Sequence, residues 1–454
     1  MHDIVHDLLT LLEEIQKKGE YESLEKEFTK LESDGERFIF TFNVLLEKGA
    51  LPSLAEFPVK SMSTSDDYRN KANQKFALRE PGTQLGEIIE LYTKSIVFAE
   101  REALGLAYGI RSAASFEGRL YRDCLRDISR ALALSYPDDQ KAKLYAREAR
   151  CLMALESPSV SYKREIKESL AKTAEYAGKM PAGNQGRKIL ENMLREPKKM
   201  TPAKGQYMRW QDEALMPGVV IENPQMKGVS SALAVRFTEE LGRHVIATRN
   251  INPGEVLAVL KPYTGVLDTG KKFTHCAYCM LQTWSSIPCE ECCEVIYCNE
   301  TCKIKAHVEY HNIECQVMKH LIPLGLSSQA CLALRLVLTA LKETGSFQTL
   351  REKVQLIENI GDPRTIGCGL SPLDGDKYAL IYSLVNSSHE RPFLQLFTTA
   401  ALASYIILAL ATKTDIFGKI FDDKLDEIVK NPDIIFIGGL LMRHIQIACS
   451  SGHA

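Results

Sequence analysis

Between Cys276 and Cys315 the chain reads CAYCMLQTWSSIPCEECCEVIYCNETCKIKAHVEYHNIEC and holds eight of its thirteen cysteines. As a ligand string this is Cys276-x2-Cys279-x9-Cys289-x2-Cys292-x5-Cys298-x3-Cys302-x8-His311-x3-Cys315. A structural zinc ion takes four thiolate or imidazole donors in a closed tetrahedron, so eight such residues supply two complete sites. A Cys-x2-Cys pair puts two sulfurs on one knuckle. The close spacing of neighbouring pairs predicts an interleaved arrangement, with Cys276, Cys279, Cys298 and Cys302 on one ion and Cys289, Cys292, His311 and Cys315 on the other. Cys293 is read as a bystander. His307 ranks behind His311, which keeps the short spacing to the final ligand. With no open coordination position, the zinc is expected to be structural rather than catalytic. Binding of zinc by such a segment is worth roughly 10–16 kcal/mol, enough to fold a unit without a real core of its own.

The rest of the chain sets the context for that segment. At 454 residues it exceeds one compact core, and its 45% hydrophobic and 25% charged content is that of a globular chain, so several domains are expected. Lys and Arg number 56 against 58 Asp and Glu, which gives no global field for nucleic acid or an anionic membrane. From Lys271 to Lys319 five lysines face six glutamates, so the cysteine-rich segment carries no basic stripe and nucleic-acid reading is disfavoured. Its ligand order also departs from that of a RING finger. The N-terminal run MHDIVHDLLTLLEEIQKK lacks the marks of a signal peptide. A reducing compartment, cytosol or nucleus, is therefore expected, with thiols serving as ligands rather than disulfides. The apolar run FLQLFTTAALASYIILALA from Phe393 is read as a buried helix rather than a membrane span.

Periodicity divides the chain into a mainly α, multidomain architecture. Residues 1–67 carry helical spacing without recognisable chemistry. Residues 68–200 read as paired helices of tetratricopeptide-like type. Ala113 and Ala114 allow close approach, Gly118 the turn, Ala131 and Leu132 pack the second helix and Pro137 ends the unit. Tyr145 repeats Tyr108 at a 37-residue interval, near the roughly 34-residue period of such repeats. Stacked helix pairs of this kind present a surface for an extended peptide or another protein. KKMTPAKG, at Lys198–Gly205, reads as a linker. Residues 213–275 turn to short β-branched runs, VSSALAVRF, GRHVIATRN and EVLAVLKPYTGVL. The cysteine-rich segment occupies 276–315, and 316–454 returns to helical spacing.

The ligand string resembles a MYND finger, and the preceding LGRHVIATRNINPGEVLAVLKPYTGVL resembles the first half of a SET domain. Together with the helices after the finger, the chain is similar to the SET and MYND domain-containing (SMYD) protein-lysine methyltransferases, in particular the tetratricopeptide-bearing fourth-member type. The resemblance covers most of residues 70–454. It implies S-adenosylmethionine as cofactor in the complete family member, approached by the backbone of Gly242, Arg243 and His244, and two structural zinc ions. It also implies protein partners, with proline-containing peptides taken by the finger and another partner by the helical array. The resemblance has gaps. No Asn-His-Ser-Cys motif and no Gly-Glu-Glu segment with its downstream tyrosine occurs. VNSSHE, at Val385–Glu390, is read as a polar loop. IACSSGHA puts Ser450 where the family has asparagine. The expectation is a chain lacking the catalytic second half of the SET domain, with no catalytic residue of its own and inactive alone. A non-catalytic adaptor working through the array and the finger is the alternative.

Overall fold

The computed structural model describes residues 4–54, 60–78, 85–181, 183–195, 217–368, 371–422 and 424–451. Its helices begin with α1 (Ile4–Lys17), α2 (Tyr21–Phe28) and α3 (Asp34–Glu47). They continue through α4 (Met62–Ala77), α5 (Leu85–Phe98), α6 (Leu104–Glu117), α7 (Tyr121–Ala133), α8 (Asp138–Leu155), α9 (Lys163–Gly178) and α10 (Gln185–Arg195). Short strands follow: β1 (Glu222–Asn223), β2 (Met226–Ser230), β3 (Leu233–Thr238), β4 (Gly242–Ala247), β5 (Ile287–Pro288) and β6 (Ile296–Tyr297). The remainder is α11 (Glu300–Ala306), α12 (Asn312–Leu321), α13 (Ser328–Thr344), α14 (Phe347–Glu358), α15 (Lys377–Tyr382), α16 (Phe393–Lys413), α17 (Leu425–Ile428) and α18 (Pro432–Ser451). The protein is therefore mainly α, with the β content confined to two-stranded antiparallel pairs. The linker segment Lys198–Gly205 lies outside the described residues.

Two compact units emerge from this string, one built from residues 58–212 and 270–304, the other from 1–57, 213–269 and 305–454. In the first, α4 pairs with α5, α6 with α7 and α8 with α9, and successive pairs stack through α5–α6 and α7–α8. Ala114 is fully buried at such a contact. The turn after α6 differs in detail from the sequence expectation. Gly118 keeps an ordinary φ of -74°, and the left-handed residue is Arg119 at φ 57°. Gly109 has a more demanding role. A Cβ there would lie 2.5 Å from the Tyr136 ring, so only glycine lets Tyr136 close over α6.

The second unit is organised around α16, whose residues Thr399–Ala411 are buried without a break. A helix apolar on every side has no solvent face to offer, and α1, α3, α12, α13 and α18 all contact it. Both α16 and α18 are long and apolar enough to cross a membrane by length and composition, and 83% of the α16 window is buried within the protein. The N-terminal helices belong to this unit. Phe28 meets Phe393 and Phe397 edge-on at 5.3 and 5.7 Å, and α3 enters a notch on α18 made by Gly438 and Gly439. A Cβ on Gly438 would stand 2.5 Å from the Phe38 ring, and one on Gly439 3.1 Å from the Gly35 nitrogen.

The β segment of the same unit forms two hairpins. In the second, β3 pairs with β4 from Leu233↔Ala247 to Thr238↔Gly242, and Gly242 takes φ 62° at the turn. EVLAVLKPYTGVL, expected as a strand, contributes only a bridge from Ala258 to Val229 and hydrogen bonds at Leu257 and Val259. Pro262 and the turn at Pro253–Gly254 bound the stretch able to pair, since proline donates no ladder hydrogen bond.

Candidate metal centre

The finger is assembled from a knuckle, a small hairpin and a helix. At the knuckle the Met280 amide donates to the Cys276 carbonyl at 2.9 Å, and the Cys276 amide to Leu281 at 2.9 Å. Met280 takes φ 60° to close that turn. β5 and β6 then pair antiparallel, with Cys289 directly after β5 and Cys298 directly after β6, at opposite ends of the hairpin. Asn299 starts α11 by accepting the Cys302 amide at 2.9 Å and turns its own amide onto the Cys298 sulfur at 3.4 Å. Beyond α11 one π turn spans His307–His311, an insertion that shifts the helix phase. His311 and Cys315, four residues apart, then share one helix face.

The eight candidate ligands come together as two groups of four: Cys276, Cys279, Cys298 and Cys302 in one, Cys289, Cys292, His311 and Cys315 in the other. In each group the ligand atoms all lie within 4.8 Å of one another, and all four of the second group are buried. Four sulfurs each about 2.3 Å from one ion stand about 3.8 Å apart in a tetrahedron. The observed Cys279–Cys298 and Cys298–Cys302 sulfur separations are 3.7 and 3.5 Å, which fits a shared ion and is far too long for a disulfide. Hydrogen bonds from Cys279 and Cys298 hold the Cys276 thiol well below its ordinary range, and the same bonds push Cys298 up. The Glu291 amide meets the Cys289 sulfur at 3.4 Å, a contact suited to a thiolate.

Two residues near the clusters stand outside them. His307 is exposed and joins neither group. Cys293 is buried, turns its sulfur to the Val97 carbonyl at 3.6 Å, and has its thiol pushed up to about 11, chiefly by burial.

Several supporting residues escaped the sequence reading. Lys60 donates to the carbonyls of Val97, Cys289 and Cys292 at 2.7, 2.8 and 3.2 Å, so one ammonium gathers three main-chain oxygens around the second knuckle. Arg335 of α13 forks onto Glu314 at 2.9 and 2.7 Å, fixing the turn of α12 that bears Cys315. A third contact set joins the finger to α5, α6 and α7. Arg111 makes a bidentate pair with Asp127, both bonds 2.8 Å, and reaches the Ser286 carbonyl at 2.7 Å. Burial by itself would lower the Arg111 pKa, but the Asp127 carboxylate outweighs it and the guanidinium stays charged. Local spacing gave no sign of these partners. A lone arginine inside the small-residue run GIRSAAS was the one available signal.

Gly242, Arg243 and His244 open β4. The space beside Gly242 is clear, since a Cβ built there meets nothing within 4 Å. The Arg243 side chain turns elsewhere, donating to the carbonyls of Ile366 and Leu380. Its guanidinium lies below its ordinary range because it is buried. His244 Nδ1 lies 3.0 Å from the Gly242 carbonyl. VNSSHE lies between α15 and α16, where Ser388 donates to Gln446 at 2.5 Å.

No family model matches the chain, and no solved structure matches it. Among characterised proteins it is similar to protein-lysine N-methyltransferase SMYD4 of Pongo abelii, with 26% identity over 446 residues covering 85% of this chain and 54% of the relative. The Danio rerio protein of the same name is 26% identical over 437 residues, covering 86% and 49%. A SET and MYND domain-containing protein of Dictyostelium discoideum shares 37% identity over 95 residues, 20% of this chain and 25% of that one. The chain spans about half the length of the SMYD4 relatives of Pongo abelii and Danio rerio.

Proposed function

We propose, for a chain that belongs to the SET and MYND domain-containing family and to its tetratricopeptide-bearing fourth-member type, that it is the zinc-bearing, partner-binding portion of an S-adenosylmethionine-dependent protein-lysine methyltransferase. The observation that carries this reading is the pair of four-ligand groups, each complete without a position for water or substrate. Zinc held this way polarises nothing. It would tie the knuckle, the β5–β6 hairpin and α11 together in one arrangement.

S-adenosylmethionine, when bound, supplies an electrophilic methyl group to the neutral amine of a lysine, so catalysis rests on alignment and on stabilising the transition state. Within this chain, Gly242 has open space beside it for such a ligand, and Arg243 holds the strand that follows through the Ile366 and Leu380 carbonyls. The aligning groups belong to the second SET half, for which these 454 residues carry no motif. The chain by itself is therefore assigned zinc and protein binding without methyl transfer. The finger and array suit proteins as partners, including proline-containing peptides, and thiol ligands suit a reducing compartment, cytosol or nucleus.

Two measurements on the purified 454-residue chain test this. Elemental analysis should return two zinc ions per chain, and one ion would refute the ligand assignment. Incubation with labelled S-adenosylmethionine and cellular protein should leave no label on lysine. Measurable transfer would refute the assignment of the chemistry to other residues.

A further inference from the structure

The finger's loop between its two Cys-x2-Cys pairs, Trp284 to Pro288, is held by the helical array as an extended peptide would be. Arg111 donates to the Ser286 carbonyl at 2.7 Å and to its hydroxyl at 3.2 Å. Arg130 donates to the Ser285 carbonyl at 2.5 Å. The Ser285 hydroxyl donates to Asp123 at 2.6 Å. Trp284 packs into the apolar cluster of Ile88, Ile89 and Tyr92, with its ring 3.3 Å from where a Cβ on Gly86 would stand. Ser285 and Ser286 are 0% and 1% exposed, and Arg111, Asp123 and Asp127 0%. Successive carbonyls taken by arginines, a hydroxyl taken by a carboxylate and an aromatic anchor in a pocket are the elements of peptide recognition. A tethered, independent finger would meet the array through exposed contacts, whereas here Arg130 and Trp284 are partly buried and the remaining partners fully so.

We infer that the α5–α7 face of the array is a receptor for the finger's own Trp-Ser-Ser-Ile-Pro loop, filled within the same chain. Metal loading of the finger and folding of the array are in consequence linked. Zinc at Cys276, Cys279, Cys298 and Cys302 braces the loop that α5, α6 and α7 bind, and by reciprocity whatever loosens the loop on the array weakens zinc by the same factor. Any partner protein of the array uses a face other than this one. The inference rests on the proposed zinc site, and the experiment separates the two.

In the full chain, zinc content is measured first. Absence of zinc overturns the site and the inference together. With zinc bound, hydrogen exchange is followed before and after chelation, and protection should fall across α5–α7 more than across α8–α10. Unchanged exchange in α5–α7 overturns the inference alone. Trp284→Ala on the finger and Arg130→Met on the array should each raise the zinc dissociation constant roughly 5- to 150-fold, the usual span of coupling between sites. Ser169→Ala, whose hydroxyl bonds Glu148 in the α8–α9 pair, should leave it unchanged. Zinc held by both loop-face variants as tightly as by the wild type, or lost equally in Ser169→Ala, overturns the linkage. If Trp284→Ala does not fold, Arg130→Met and the exchange experiment decide.

Discussion

Arg111 gives the most direct test of how this unit is held together. Its guanidinium donates five hydrogen bonds: two to Asp127, one to Thr93 at 3.0 Å, and two to Ser286. Both members of the ion pair have side chains 0% exposed. Arg111→Met keeps the stem and removes the charge. Asp127 is then left deep in the unit with Arg130, 3.3 Å away and itself 23% exposed, as its remaining cation. Breaking one side of a buried pair costs about 3–5 kcal/mol, because the orphaned charge has lost its hydration without compensation. For a unit of 150–250 residues each kcal/mol moves the midpoint by about 2–4 °C, so the transition carrying α4–α10 should fall by roughly 6–20 °C. Scanning calorimetry on the full chain, with hydrogen exchange assigning the transition, measures it. The double variant Arg111→Met/Asp127→Leu should recover part of the loss, since removing both charges leaves no orphan. A loss under about 1 kcal/mol for Arg111→Met, or a double variant no more stable than the single, would mean that the pair is solvated and the physical account wrong.

Two further perturbations test the other unit. Gly438→Ala should destabilise it by about 1–3 kcal/mol or more, because the added methyl meets a fully buried Phe38 ring at 2.5 Å and a packed core relaxes little; urea denaturation measures the loss, and Gly438→Ala combined with Phe38→Leu should restore part of it. His444, fully buried against the Tyr378 hydroxyl at 3.1 Å, titrates at about 3 because burial disfavours the imidazolium and Arg443 adds repulsion. Its folded pKa lies below its unfolded one, so between about pH 6.5 and 3 the unfolded chain binds the extra proton and stability falls on acidification, by about 1.4 kcal/mol per pH unit for this group. His444→Gln should flatten the acid limb of the stability curve between pH 6 and 4, and an unchanged slope would show that His444 is protonated in the folded state.

What was legible in the sequence was local. The candidate ligands fall within forty residues, so their spacing alone implied the same two groups of four that the structure assembles. α16 could be read as a buried helix rather than a membrane span because its apolar run is short for a span and is interrupted by a glutamine, threonines and a serine. What was illegible depended on residues far apart in the chain. Nothing near Phe38 announces Gly438, four hundred positions on, and residues 1–67 therefore read as a separate segment although α3 is seated on α18. Arg243 shows the same limit at closer range. Its backbone position in a turn was readable, while the direction of its guanidinium depends on Ile366 and Leu380, more than a hundred residues later.

The same distinction bears on how the finger works. A ligand string defines metal sites and is silent about the residues between ligands, and here those residues, Trp284 to Pro288, are what the array holds. On the proposed reading, eight ligands would close both metal positions, and Ser285 and Ser286 of the loop are buried. The exposed surface of the finger includes parts of the first knuckle and of α11, where Leu281 and Ile304 are 39% and 61% exposed. If proteins are recognised by this finger, Leu281→Asp and Ile304→Asp should weaken their capture while leaving zinc content unchanged, whereas Trp284→Ala should reduce both. Capture lost only through Trp284 would mean that the loop is released to bind, and that its place on the array is one of two states.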